Sequence, residues 1–233
     1  MREVEKIALI PARSGSKRVK DKNIIDVCGK PLIQYTLDLV KEMRFFDRII
    51  VSTDSDKYAK IVMEVSDAEI HTRPCELSLD HSADIEWIHH LIGTFSIDPN
   101  AALFILRPTS PLRSGEFVTG AWDKFINSRK AYDSLRAVKL ADQHPGKMWT
   151  EINGDLMPLF PFSINDVPWH SNQTAILPKV YAQTASLEIV WAKTILETRS
   201  LSGSRILPYV CSGQDAFDIN TAEDIDYLRA VLQ

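Results

Sequence analysis

Cysteine is scarce in this 233-residue chain: Cys28, Cys75 and Cys211 stand far apart, with no CxxC spacing. That argues against a thiolate zinc site and against a disulfide framework, and makes a reducing, cytoplasmic location the expectation. No apolar run approaches the ~18 residues a membrane span needs. The N-terminal stretch MREVEKIALIPAR carries charges up to its apolar run and has no signal-peptide core. Excess positive charge is missing too. The 27 Lys and Arg face 31 Asp and Glu, and the net charge of −4 argues against a general nucleic-acid surface. Three catalytic signatures are absent as well: a GxxxxGK[ST] phosphate loop, a GxSxG nucleophile elbow, and HExxH or HxxEH spacing around His81, His89 and His90. There is no internal repeat and no low-complexity segment.

What is present is ordinary globular composition, 45% hydrophobic and 25% charged, at a length suited to a single domain spanning 1–233. The stretch IALIPARSGSKRVKDKNII, residues 7–25, organises it. Ile7-Ala8-Leu9-Ile10 reads as a buried strand that Pro11 ends. Five cations follow within a short segment: Arg13, Lys17, Arg18, Lys20 and Lys22. Among them Ser14, Gly15 and Ser16 are small enough to let backbone N–H groups approach a ligand closely. Cations held over exposed amides just after a strand suit a polyphosphate. The alternative is a solvated basic loop.

The rest of the chain weighs against that alternative. Apolar strand patterns at 48–54, 68–71, 101–106 and 134–138 alternate with helical patterns at 32–43, 55–65, 84–95 and 114–127. Asp54 or Ser55 suits the cap of the second helix and Ser114 that of the fourth. This alternation predicts an α/β fold with a mostly parallel sheet and helices on both faces. Ligands collect at the carboxyl ends of the strands in such sheets. The basic loop, Ser52-Thr53-Asp54 and the rigid segment RPTSPLR at 107–113 all fall there. Residues 140–182 change character: they carry Pro145, Pro158, Pro161, Pro168 and Pro178 with little helical period, as an irregular excursion forming a lid or an oligomer contact. Strand patterns at 186–190 and 205–209 and helical patterns at 191–198 and 221–232 complete the chain, with Thr221 as the last cap and Asp224 at the third helical position.

Together IPARSGSKRVKDKNI, CGKPLIQYTL, VSTDS, RPCELSLDHS, LRPTSPLR and FDINTAEDIDYL resemble, in order and spacing, the CMP-sialic-acid synthetases (acylneuraminate cytidylyltransferases) and their relatives for bacterial nonulosonic acids. The resemblance implies a Rossmann-like fold of the nucleotide-diphospho-sugar transferase type, with 140–182 as a dimerisation and acceptor-side subdomain and the chain as a homodimer. It also implies an enzyme, a nucleotidyltransferase that moves CMP from CTP to an acidic 2-keto sugar and releases pyrophosphate, with no nucleic-acid or membrane partner. A sugar 1-phosphate acceptor, or a nucleotide-binding module without catalysis, is the competing reading.

Carried over by position, the resemblance puts Arg13, Lys17 and Lys22 on the phosphates and Asn23 near the base, with Ser16 in the same loop and Arg73 and Ser82 as further nucleotide contacts. Arg13, Lys22 and Asp218 are the expected catalytic residues. The implied cofactor is Mg²⁺. The family's pair of metal-binding aspartates reads Asp218-Ile219-Asn220 here, so one carboxylate has become an amide. Alternation along an extended strand puts both side chains on one side, and Asn220 either ligates the ion or sits outside its shell. On the acceptor side the family's glutamine before Pro-Thr-Ser is Arg107, which could pair with an acceptor carboxylate or with an internal Asp. The family's Asn-Gly pair is replaced within Ala182-Gln183-Thr184-Ala185-Ser186, where Gln183 could supply the family's amide at longer reach, and Lys147 and Gln173 are the excursion's candidates for the acceptor.

Overall fold

The first strand dictates the layout. Ile7 and Leu9 point to one side of it and Ala8 and Ile10 to the other, and all four are fully buried, so the sheet has to be covered twice. The computed structural model describes residues 3–233 and shows a seven-stranded sheet. Its strands are β1 (Lys6–Pro11), β2 (Arg48–Thr53), β3 (Glu69–Thr72), β4 (Ala102–Ile105), β5 (Ser134–Leu140), β6 (Tyr181–Trp191) and β7 (Ile206–Val210). They lie in the order β7-β5-β6-β4-β1-β2-β3. The mostly parallel sheet expected from the sequence is parallel from β3 through β2 and β1 to β4 and turns antiparallel at β6, where Glu188 faces Ile105. Strand order reverses between β1 and β4, because the chain leaves β1 towards β2 and β3 and only later returns to β1's other side. Such a reversal splays the following loops apart and opens a crevice.

Helices α1 (Leu32–Met43), α2 (Asp56–Val65) and α4 (Gly115–Asn127) pack on the face of Ala8 and Ile10. Helices α3 (Asp84–Thr94) and α5 (Ala192–Thr198) cover the face of Ile7 and Leu9. Ser55 rather than Asp54 caps α2, accepting from the Tyr58 N–H, and Ser114 caps α4, accepting from that of Phe117. The last helix, α6 (Ala222–Leu232), begins with a reciprocal capping box between Thr221 and Asp224. The strand read at 186–190 begins at Tyr181; its first residues mix Ala182 and Ala185 with Gln183 and Thr184, so no apolar run marks them.

Contacts divide the chain into two compact units, Val138–Gln183 and the remainder. The smaller unit is built of short hairpins, Trp149–Ile152 with Asp155–Pro158 and Ser163–Ile164 with Val167–Pro168. Within it Trp149, Ile152, Leu156, Met157, Phe160 and Phe162 are exposed. That is a large apolar surface for so small a unit.

Two of the larger unit's buried polar side chains pair with each other. Ser52 on β2 and His71 on β3 face each other in register and are almost wholly buried, with Ser52 Oγ 2.9 Å from His71 Nδ1. His71 Nε2 lies 2.9 Å from Nδ1 of His90 on α3. Burial, reinforced by His90 and Arg73, pushes the His71 imidazole down to about 4, so it stays neutral in the folded protein at neutral pH. An unfolded histidine titrates near ~6.5. Between that value and the folded one, the unfolded chain therefore binds a proton that the folded chain does not, and stability falls as pH falls. Urea denaturation between pH 7 and pH 5 should show a slope approaching 1.4 kcal/mol per pH unit of excess sensitivity, roughly, below pH 6. His71→Asn should remove that component, and an unchanged slope would count against it.

Candidate active site

Beyond the carboxyl ends of β1 and β4 lies an open cavity of about 450 Å³. Arg13, Lys17, Lys22 and Asn23 from the loop after β1, Arg73 from the segment after β3, Arg107 from the loop after β4, and Asn220 before α6 all line it. Five of these seven are cationic. The solvated-loop alternative fails here, because the charges are gathered on one concave surface with two arginines from distant segments.

The loop after β1 is held in shape by its neighbours. Asp54, just past β2, accepts from the Ser14 N–H at 2.8 Å and from its hydroxyl at 2.9 Å. The amide of Asn23, itself buried, donates to the Arg13 carbonyl at 3.0 Å. Asp21 accepts from Tyr58 Oη and Lys57 Nζ of α2. The Ser14 amide is thus already occupied, and Ser14 and Gly15 do not reach the cavity wall, whereas Ser16 does. Ser82 also stays away: its hydroxyl donates to the Glu76 carbonyl and accepts from the Leu79 N–H, fixing the shape of its own loop.

Each of these five cations has a partner. Asp80 bridges Arg13 and Lys17, at 3.2 and 2.6 Å. Lys22 Nζ donates to the Ile219 carbonyl at 2.8 Å. Burial lowers the Lys22 pKa, and the charge of Asp218 works against that. Arg73 is nearly buried: its Nε donates to Ser52 Oγ at 3.1 Å, and its guanidinium lies 4.6 Å from the ring centroid of Trp87. Burial lowers Arg73 to about 10, which still leaves it charged at neutral pH.

Arg107 settles between its two expected roles. Its Nη1 meets Glu188 and its Nη2 meets Asp84, each at 2.5 Å, so it is paired internally. Glu188 is buried and also meets Arg136 at 2.7 Å. Burial alone would lower the Arg107 pKa, but Glu188 and Asp84 outweigh it and raise it. Behind it Arg113, wholly enclosed, donates to the carbonyls of Ser186 and Arg107, and burial lowers it to about 9.

Asp218 and Asn220 do not stand on a strand, as the alternation argument assumed. They belong to an irregular segment between a 3₁₀ turn, Gly213–Ala216, and α6. Their side chains still meet, with the Asn220 amide donating to Asp218 Oδ2 at 3.0 Å. Asp218 Oδ1 is buried and has no partner, a position that costs free energy unless a ligand completes it. Among the described residues no group of three or more His, Cys, Asp or Glu could hold a metal ion. In the smaller unit, Lys147 Nζ donates to the carbonyls of His170 and Asn172, while Gln173 and Gln183 are exposed.

No site role was read from the sequence for Asp80, Asp84, Glu188 or His71, and Ser52 was placed only at the carboxyl end of its strand. Asp80 carried the one available signal, a carboxylate inside ELSLDHS between two expected nucleotide contacts. The others are partners that only the fold brings together.

The family model described as cytidylyltransferase matches residues 7–140. N-acylneuraminate cytidylyltransferase of Escherichia coli is 28% identical over 227 residues, covering 97% of this chain and 52% of that protein. The chain thus spans about half the length of that relative. Pseudaminic acid cytidylyltransferase of Campylobacter jejuni is 28% identical over 234 residues, covering 97% of this chain and 95% of that one. Among solved structures, CMP:2-keto-3-deoxy-manno-octonic acid synthetase complexed with CTP matches with a TM-score of 0.70 at 16% identity over 98% of both chains, a likeness of fold. With more than half its length matched by the family model, the chain belongs to the cytidylyltransferase family.

Proposed function

We propose that the chain moves CMP from CTP to an acidic 2-keto sugar, a sialic or related nonulosonic acid, and releases pyrophosphate. The observation that carries this reading is the convergence of Arg13, Lys17, Lys22 and Arg73 on one cavity at the reversal of strand order. Phosphoryl transfer asks a protein mainly for positioning and for charge stabilisation, and this wall supplies both. The acceptor hydroxyl attacks the α-phosphorus in line and gives up its proton to solvent; the bond from that phosphorus to the bridging oxygen breaks, and the charge leaves with pyrophosphate. Arg13, Lys17 and Lys22 hold the triphosphate and balance the charge developing on the leaving group, with Ser16 and Asn23 shaping the loop around it. Arg107, already neutralised, serves as a rigid wall.

Asp218 fits the Mg²⁺ that this chemistry uses. Its Oδ1, buried and without a partner among the described residues, is the atom that would take the ion, and Mg²⁺ takes few protein ligands alongside waters and phosphates. Asn220, whose amide nitrogen faces Asp218, offers its carbonyl oxygen as a second ligand or orients the carboxylate. The ion would supply charge neutralisation on the phosphates. Within the smaller unit, Lys147 orders the 170–172 segment, and Gln173 and Gln183 present exposed amides. The exposed apolar side chains of Val138–Gln183 suit a second copy of the chain, so a homodimer is the proposed assembly.

Three outcomes test this reading. Pyrophosphate release should require CTP, Mg²⁺ and a nonulosonic acid, and Lys22→Ala should lower kcat/KM by roughly a hundredfold or more. Turnover with a sugar 1-phosphate but with no nonulosonic acid would sink it. Asp80→Asn should tighten CTP binding severalfold, because the nucleotide no longer competes with a carboxylate for Arg13 and Lys17; weaker binding would show instead that Asp80 only braces the loop. Light scattering at micromolar concentration should give about twice the 26.4 kDa chain mass, and Leu156→Asp with Phe162→Asp should halve it.

A further inference from the structure

The buried pair Ser52 and His71 takes no part in the chemistry above, yet it touches the cavity through Arg73. The hydrogen-bond directions can be worked out from that arginine. Arg73 Nε only donates, so Ser52 Oγ accepts from it. The single hydroxyl proton of Ser52 is then free to point at His71 Nδ1, which must be unprotonated to accept it. A neutral imidazole with a bare Nδ1 carries its proton on Nε2, and that N–H donates to His90 Nδ1. One consistent direction runs from the guanidinium through β2 and β3 to α3.

Every acceptor end in this chain faces back towards the cation. A protonated His71 would turn an N–H onto Ser52 Oγ and leave the hydroxyl proton competing with Arg73. Besides the one from Nε, the Arg73 guanidinium makes one further hydrogen bond, from Nη2 to the Ser52 carbonyl at 3.3 Å. Its remaining N–H groups have no partner among the described residues and are available at the cavity it lines. Trp87 beneath the guanidinium is anchored by its own N–H to Asp84 at 2.8 Å.

We propose that Ser52 and His71 are positioning residues for Arg73: the neutral imidazole orients the Ser52 hydroxyl, whose lone pair fixes the guanidinium on Trp87 with its free donors at the cavity. This rests on reading the cavity as a nucleotide site, so one arm of the test does without nucleotide. By NMR, the Arg73 Nε–H should be slow to exchange in the unmodified chain and lose protection in Ser52→Ala and His71→Phe. It should survive in His71→Asn, whose side-chain oxygen sits at the level of Nδ1. Protection unchanged in Ser52→Ala overturns the proposal whatever the ligand, and Ser52→Ala decides it alone if His71→Phe does not fold.

The second arm is a double-mutant cycle on CTP affinity. Ser52→Ala should weaken binding roughly tenfold in the unmodified chain and leave it unchanged in Arg73→Ala, with His71→Asn within about twofold of the unmodified chain. Equal losses in both backgrounds would show a general structural effect and overturn the proposal. No CTP binding by the unmodified chain would refute the nucleotide reading instead, and the exchange arm would then decide the positioning role.

Discussion

Repulsion among like charges is the constraint on which the larger unit's architecture depends. Arg13, Lys17, Lys22, Arg73 and Arg107 share one concave wall, and two such charges ~6 Å apart at the effective dielectric of a protein surface repel by roughly 3 kcal/mol. The cluster is tolerable because each member is given an acceptor before any ligand arrives. These acceptors differ in permanence. Asp80 is about half exposed, so its hold on Arg13 and Lys17 is solvated and readily exchanged for phosphate. Glu188 is buried between Arg107 and Arg136, where removing it would leave uncompensated buried charge. The wall therefore has a yielding side, formed by the loop after β1, and a fixed side around Arg107.

A small apolar cluster keeps those two sides in register. Val19 and Val27 flank the 3₁₀ turn that carries Lys22 and Asn23, and they pack with Leu32, Ile219, Ile225 and Leu228. Ile219 is the hinge of the arrangement. Its side chain is in that cluster, its carbonyl accepts from Lys22, and its N–H donates to the Thr109 carbonyl at 2.8 Å. Asp218 and Asn220 are thereby tied to both the basic loop and the loop after β4. The capping box at Thr221 and Asp224 fixes where α6 starts, and hence the position from which this segment projects. Burial of apolar surface and two backbone hydrogen bonds thus set the distance between the lone carboxylate and the cations.

Much of this architecture was legible in the sequence because it rests on local rules. Strand and helix periods, the Ser114 and Thr221 caps and the lining of the cavity by residues of the basic loop are written in contiguous stretches. What was not legible depends on pairings across the fold. The extended conformation assumed for Asp218-Ile219-Asn220 was replaced by an irregular segment, yet the two side chains meet because the helix cap and the Thr109 contact hold the backbone there. Gly15 looked like a residue chosen for close backbone approach, but the Ser14 amide beside it is taken by Asp54, a carboxylate forty positions later in the chain. Ser52 and His71 read as strand residues, since nothing in a β-strand pattern distinguishes a buried hydroxyl that orients an arginine from one that merely fills space.

The basic-loop side of the cavity is easier to read from sequence than the side around Arg107. Arg13, Lys17 and Lys22 come from one short loop, so their shared destination follows from proximity in sequence. Arg107 comes from a different loop, and its function is decided by Asp84 on α3 and Glu188 on β6. An arginine in a cleft invites assignment to a ligand carboxylate. Here two internal carboxylates occupy its donor fork, with Arg136 balancing the second of them, so the group acts as a fixed, neutralised surface. A change of glutamine to arginine at such a position alters what is buried behind the wall as much as what is presented at its surface. The charge this wall presents therefore depends in part on Glu188 and Arg136, which do not line the cavity.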